Sequence, residues 1–304
     1  MGPLVLGLEG KILSANDRRR LMSSTVGGVI LFRRNYESPS QLQKLCAEVH
    51  AISSDFVIMV DQEGGRVMRF REGFSPLPPP GSLSDLNVAR ETAKIMASEL
   101  LALGVDLSLS PLVDLRVNEE VIGDRAFHSD PERVIELARA WISGMHELGM
   151  KSVIKHFPGH GSVRGDTHHQ VLIDDRPWSE IEARDLRPFL ELIHETEGVM
   201  ASHVIYSGID ENPASFSRVC LDEILRKKMG FSGAILTDDL GMRAAQSSES
   251  PLVRVLRALE AGADGVLLCN DFSVMDEVLS GLPAYHTRVS LNHLKPGSAK
   301  NGCY

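Results

Sequence analysis

Eight short apolar runs, each followed by ionisable residues, constrain this chain more than any single motif does. They are VLGL (5–8), VGGVILF (26–32), FVIMV (56–60), VDLSL (105–109), SVI (152–154), VMAS (199–202), AIL (234–236) and GVLLC (265–269). Most are rich in Val, Ile and Leu without alternation, the pattern of strands covered on both faces. Segments of helical period separate them, among them SQLQKLCAEVHAI, NVARETAKIMASELLALG and DPERVIELARAWISGMHELG. In the last of these, Asp130 is the expected N-cap, Pro131 opens the first turn and Gly149 closes the helix. Strand and helix alternating to a count of eight predict an α/β fold, a single (β/α)8 TIM barrel over residues 1–304. A doubly wound open sheet is the competing arrangement. One helical segment, DFSVMDEVLSGL, follows the eighth run, and the tail from about 285 to 304 is expected to be weakly structured.

The polar residues at the ends of the runs support the barrel independently. The C-terminal sides carry Glu9, Arg33-Arg34-Asn35, Asp61-Gln62-Glu63, Asp114, Lys155-His156, His203, Asp238-Asp239 and Asn270. A parallel barrel gathers its strand C-termini on one face, where active sites lie, so these groups are expected on one rim. The segment GGRVMRFREGFSPLPPPGS after the third run is long, basic and proline-rich, suited to walling a pocket.

Composition removes several function classes. A net charge of −9 argues against a surface that holds nucleic-acid phosphates. Cys46, Cys220, Cys269 and Cys303 are scattered without a CxxC pair, as free thiols in a reducing compartment would be. MGPLVLGLEG has neither a basic n-region nor a long apolar stretch, and no run approaches the roughly 20 residues of a membrane span. The expectation is a soluble cytoplasmic protein without membrane insertion.

The chemistry concentrates in KHFPGHGSVRGDTH (155–168), which His169 follows. Four readings compete. A metal site would want closely spaced ligands, but a proline and a glycine between His156 and His160 exclude a helical HExxH geometry. A Schiff-base lysine could end the fifth strand, although Asp61 and Asp238 on nearby strands would hold Lys155 charged. A plain polar loop would leave the histidines as caps. The last reading is proton transfer beside a carboxylate nucleophile. Asp238 would project into the mouth and Asp239 aside, while Asp166 and His168 share one side of an extended chain, so the carboxylate can orient the imidazole. Asp61 offers acceptors, and Arg69, Arg125, Lys155 and His156 offer donors, a combination suited to a sugar's hydroxyls.

MVDQEGGRVMRFREGF, IGDRAFHSDP, IKHFPGHGSVRGDTH, ASHVIYSGID and FSGAILTDDLGM, in this order, resemble glycoside hydrolase family 3. The likeness is greatest to its bacterial β-N-acetylglucosaminidases (β-hexosaminidases) of peptidoglycan recycling. It runs from MGPLVLGLEG to about VLLCN; family members often carry GERSYH where this chain has GDRAFH. The resemblance implies a retaining hydrolase with Asp238 as nucleophile, His168 as acid/base and Asp166 as its orienting partner. Asp61, Arg69, Arg125, Lys155 and His156 would hold the N-acetylglucosamine, and the substrate would be that sugar β-1,4-linked to anhydro-N-acetylmuramic acid, with or without peptide. No metal or organic cofactor, no nucleic acid and a monomeric chain are implied. A phosphorylase on the same fold is an alternative, because a histidine acid/base tolerates incoming phosphate better than a carboxylate does. A Lys155 aldolase and a non-catalytic muropeptide-binding barrel are the others.

Overall fold

The computed structural model describes residues 1–297 apart from Arg164, Asp166, His168, His169 and 246–248. Eight parallel strands, β1 Leu4–Gly7, β2 Val26–Leu31, β3 Val57–Val60, β4 Leu107–Ser108, β5 Val153–Phe157, β6 Gly198–Ala201, β7 Ala234–Asp239 and β8 Gly265–Leu268, correspond to the eight apolar runs. They pair in the order β4-β3-β2-β1-β8-β7-β6-β5. The ring closes between the chain after β4 and β5. There Val113 N–H donates to Lys155 O and Val153 N–H to Ser110 O, both at 3.0 Å. This is the expected (β/α)8 TIM barrel, and the open sheet is excluded.

Side chains divide by strand period. Val57, Met59, Val153 and Leu236 fill the barrel interior, while Ile58, Ile154 and Ile235 pack outward under the helices. Each fully buried side chain of this kind stabilises the fold by about 1.5–3 kcal/mol. The helices start where the sequence signals them. Asp130 accepts from Glu132 N–H at 3.1 Å at the head of Pro131–Glu147, and Asp271 caps Phe272–Gly281 in the same way. Among the described residues no helix is long and apolar enough to cross a membrane.

The segment after 285 packs more firmly than expected as far as Gly297. Leu291 and Leu294, 1% and 0% exposed, enter the interior cluster and stop the N-terminal end of the barrel. A Cβ on Gly265 would stand 2.8 Å from Leu291 Cδ2, and one on Gly198 3.2 Å from Leu294 Cδ2, so side chain-free strand starts make their seats. Val289 N–H donates to the buried Asp264 at 2.9 Å, and Lys295 Nζ donates to Ser54 O at 2.6 Å. Residues 298–304 lie outside the described residues.

Candidate active site

The period of two that fills the interior also builds the mouth. Met59, Val153 and Leu236 are interior residues, and the positions two further on are Asp61, Lys155 and Asp238. At the C-terminal rim the inward layer therefore changes from apolar to charged within one residue pair. These three side chains line a cavity of about 320 Å³, together with Arg69, Arg125 and His156.

Two local irregularities complete the set. In β5, Lys155 lies opposite Met200 and Phe157 opposite Ala201, so His156 is an extra residue in the ladder. Such a bulge re-aims a side chain, and here consecutive Lys155 and His156 both reach the cavity. After β3, Gln62–Gly64 turns back and pairs antiparallel with Val67–Met68. Gly64 and Gly65, at φ 111° and 54°, supply the backbone angles this tight turn demands. Gln62 is buried in the turn, accepting from Arg69 N–H at 2.9 Å and donating to Phe70 O at 2.8 Å. The return leg carries Arg69 back over Asp61.

The floor is a network of two carboxylates and three cations. Lys155, 2% exposed, donates from Nζ to Asp61 Oδ1 at 2.9 Å and meets Glu63 Oε1 at 2.5 Å. Arg125 grips Glu63 with both ends of its fork, Nε to Oε2 at 2.9 Å and Nη2 to Oε1 at 2.8 Å. Arg69 Nη2 donates to Asp61 Oδ2 at 3.0 Å. Burial alone would raise the Asp61 carboxyl, but Lys155 and Arg69 outweigh it and hold the group well below the usual carboxylate range. Burial likewise opposes Glu63, yet Arg125 and Lys155 bring it down to about 2. Burial would lower Lys155, and Asp61 and Glu63 overcome that and push it above an ordinary lysine. A lysine kept charged this way is a donor and not a nucleophile, which counts against the Schiff-base reading.

The predicted partners of Lys155 need one correction. Asp61 is one of them, but the second carboxylate is Glu63 and not Asp238. Asp238 stands on the opposite wall, its Oδ2 4.0 Å from His156 Nε2 and its Oδ1 accepting from Asp239 N–H at 2.8 Å. Asp239 also lines the cavity, contrary to the expectation that it points aside. Its carboxylate accepts from Gly241 N–H at 2.9 Å and Cys269 N–H at 3.1 Å, tying β7 to the end of β8. Burial raises its pKa.

Asp114 and His203 form a second tier that sequence reasoning noticed only as strand-end polar residues. Asp114, fully buried, accepts from His156 Nδ1–H at 2.7 Å and from His160 N–H at 2.7 Å. With Nδ1 engaged as the donor, His156 presents Nε2 to the cavity. Burial would raise the Asp114 carboxyl, and His156 and His160 hold it down. His203 Nε2 donates to Asp239 O at 3.1 Å, while its Nδ1 lies 2.6 Å from Ser215 Oγ. Burial lowers its pKa, with Asp238 opposing. Cys269, at the cavity edge, is an inert thiol whose pKa burial pushes far up.

Six of the eight expected site residues, Asp61, Arg69, Arg125, Lys155, His156 and Asp238, thus converge on one cavity. Asp166 and His168 lie outside the described residues, as does His169. Their neighbour Thr167 is buried; its carbonyl accepts from Ala244 N–H at 3.0 Å, and its Oγ1 is 3.5 Å from His160 Nε2. Among the described residues no group of three or more His, Cys, Asp or Glu side chains is arranged to hold a metal ion. Paired, geometrically fixed donors and acceptors beside the Asp238 carboxylate suit a small polyhydroxylated ligand.

Comparison with known proteins agrees with that geometry. Residues 7–292 match the glycosyl hydrolase family 3 N-terminal domain. A protein of Alkalilimnicola ehrlichii named beta-hexosaminidase is 50% identical over 296 residues, spanning 93% of this chain and 85% of its own length. A beta-hexosaminidase of Nitrosomonas eutropha is 48% identical over 294 residues, spanning 93% and 84%. The crystal structure of NagZ from Neisseria gonorrhoeae in complex with N-trifluoroacetyl-D-glucosamine superposes with a TM-score of 0.91 at 38% identity, covering 97% of this chain and 90% of that one. The eight-stranded barrel, its charged rim and these relatives together make the chain an enzyme of glycosyl hydrolase family 3.

Proposed function

We propose that the chain is a retaining β-N-acetylglucosaminidase. It releases terminal β-1,4-linked N-acetylglucosamine from anhydro-N-acetylmuramic acid, with or without peptide, in cytoplasmic peptidoglycan recycling. The observation that carries this reading is the Asp238 carboxylate facing an ion-paired floor across a sugar-sized cavity. The names of the relatives and the glucosamine derivative bound by the Neisseria protein support it.

In this reading Asp61, Arg69, Arg125, Lys155 and His156 hold the sugar's hydroxyls. Asp238 attacks the anomeric carbon, and the glycosidic bond breaks as His168, oriented by Asp166, gives its proton to the departing oxygen. His168 then takes a proton from water, which displaces Asp238 from the glycosyl-enzyme and restores the carboxylate. A carboxylate with a histidine–aspartate dyad replaces the usual carboxylate pair of retaining glycosidases. The test is turnover of a chromogenic N-acetylglucosaminide beside the glucoside, with a 5-fluoro glycosyl inactivator used to label the nucleophile. Preference for the acetamido sugar and a mass label on Asp238 are expected. A label elsewhere, with activity intact in Asp238→Asn, overturns the assignment.

A further inference from the structure

His203 is a buried titratable side chain that the proposed reaction does not use. It follows β6, is 1% exposed and stands behind the residues that line the cavity. Packing alone would be served there by an apolar side chain, because Phe216 stacks on the ring with centroids 6.0 Å apart and planes 16° apart. Both ring nitrogens are nevertheless engaged. Nε2–H donates to Asp239 O at 3.1 Å, and a carbonyl can only accept, so Nδ1 is the acceptor of the neutral ring and takes the Ser215 hydroxyl proton at 2.6 Å. Burial favours that neutral form. The turn Ala214–Phe216 also grips the backbone on each side of His203: Ala214 N–H donates to Val204 O at 2.9 Å and Ser215 N–H to Ser202 O at 3.0 Å.

The residue that receives the Nε2–H bond adjoins the nucleophile. Asp239 N–H donates to Asp238 Oδ1 at 2.8 Å, so the orientation of one carboxylate depends on how the next residue is held. Asp239 is held from three directions. His203 binds its carbonyl from the β6 side, Cys269 N–H binds its carboxylate from the end of β8, and the Gly241 and Met242 N–H groups bind it from the turn after β7. The β8 contact anchors the side chain, whereas His203 anchors the main chain that carries the N–H.

We propose that His203, with its tautomer set by Ser215, is a positioning residue for the nucleophile: through the Asp239 carbonyl it fixes the N–H that aims the Asp238 carboxylate. The proposal rests on the glycosidase reading and gives Asp238 a support of the kind that Asp114 gives His156. No bond of the reaction forms or breaks at His203. A cation in its place would compete for the charge with which Asp238 attacks; a neutral imidazole fixes the geometry and leaves that charge alone.

Labelling of Asp238 by a 5-fluoro glycosyl inactivator separates attack, read as kinact, from sugar binding, read as KI. In His203→Leu, kinact should fall about tenfold to a hundredfold with KI within about twofold of the wild type, since a misplaced nucleophile loses rate and not binding. Glutamine carries a side-chain N–H close to the position of Nε2, so His203→Gln should recover kinact to within about threefold of the wild type. Ser215→Ala keeps the ring but frees its tautomer, and its kinact should also fall at constant KI. Equal kinact in His203→Leu and His203→Gln, a rise in KI that matches the fall in kinact, or unchanged kinact in His203→Leu overturns the proposal. Should His203→Leu fail to fold, Ser215→Ala is judged by the same split, and only a fall in kinact at constant KI supports the proposal. If the wild type takes no label, or takes it elsewhere, the glycosidase reading fails separately. The carboxyl carbon resonance of Asp238 then decides whether His203 aims that group: a shift in His203→Leu that is absent in His203→Gln supports it, and no shift in either overturns it.

Discussion

Replacing Glu63 by glutamine removes one charge from the barrel floor and almost no volume. Glu63 is 1% exposed and takes three close contacts, from Lys155 at 2.5 Å and from Arg125 at 2.9 and 2.8 Å. Glutamine keeps one acceptor oxygen and turns an NH₂ group toward a cation. The floor would then hold three cations against Asp61 alone. Breaking a buried pair in this way costs about 3–5 kcal/mol, because the partner charges stay buried without compensation. The depressed pKa gives a matching figure: a carboxyl brought from an ordinary 4.5 to about 2 is worth on the order of 3 kcal/mol.

The sign of the pH dependence comes from the same shift. Because the folded state lowers the Glu63 pKa, its contribution is fully present above the unfolded value of 4.5 and is lost as pH falls toward about 2. Urea unfolding followed by the fluorescence of Trp141 and Trp178 is the assay, run from about pH 7 to about pH 3. Glu63→Gln should be less stable by about 3 kcal/mol near neutrality, with the gap narrowing as pH drops below about 4.5. A variant within about 0.5 kcal/mol of the wild type at neutrality, or a gap that stays constant down to about pH 3, refutes the reasoning.

Two further outcomes test the second tier and the apolar plug at the N-terminal end of the barrel. Asp114→Asn leaves one acceptor oxygen where His156 Nδ1–H donates to Oδ2 and His160 N–H to Oδ1, so one of the two donors faces an NH₂, and kcat/KM should fall between about fivefold and a hundredfold as the hold on His156 weakens; unchanged kinetics would remove Asp114 from the site. Leu294→Ala empties part of the plug at the N-terminal end, and a loss of about 2–5 kcal/mol with unaltered KM is expected by calorimetry.

How much of this could be read from the sequence depends on which forces set each feature. The strands were legible because runs such as VGGVILF and GVLLC have no other stable use in an α/β chain. Asp61, Lys155 and Asp238 were legible because the period of two carries an interior apolar residue to the rim in one step. Glu63 was not, since its place in the floor depends on the Gly64–Gly65 turn folding the chain back, a tertiary event that local pattern does not encode. The inward aim of both Lys155 and His156 needed the bulge opposite Met200 and Ala201, and a bulge depends on the partner strand. Leu291 and Leu294 sit in a segment too short to show a period, and the glycines that seat them lie on other strands, Gly265 at the start of β8 for Leu291 and Gly198 at the start of β6 for Leu294.

The seam between β4 and β5 shows why the least legible residues belong to the site. β4 is only Leu107–Ser108, too short to close a barrel by itself. Closure passes instead to the irregular chain after it, through Val113 N–H to Lys155 O and Val153 N–H to Ser110 O. Asp114 comes next in the chain and clamps the backbone N–H groups of His156, at 3.2 Å, and His160, at 2.7 Å. One buried carboxylate therefore completes the ring and also fixes an imidazole in the cavity. Asp114→Asn should accordingly lower stability and activity together, whereas Asp238→Asn, on β7 and away from the seam, should lower activity alone. Equal stability losses in the two variants would show that the seam and the site are independent.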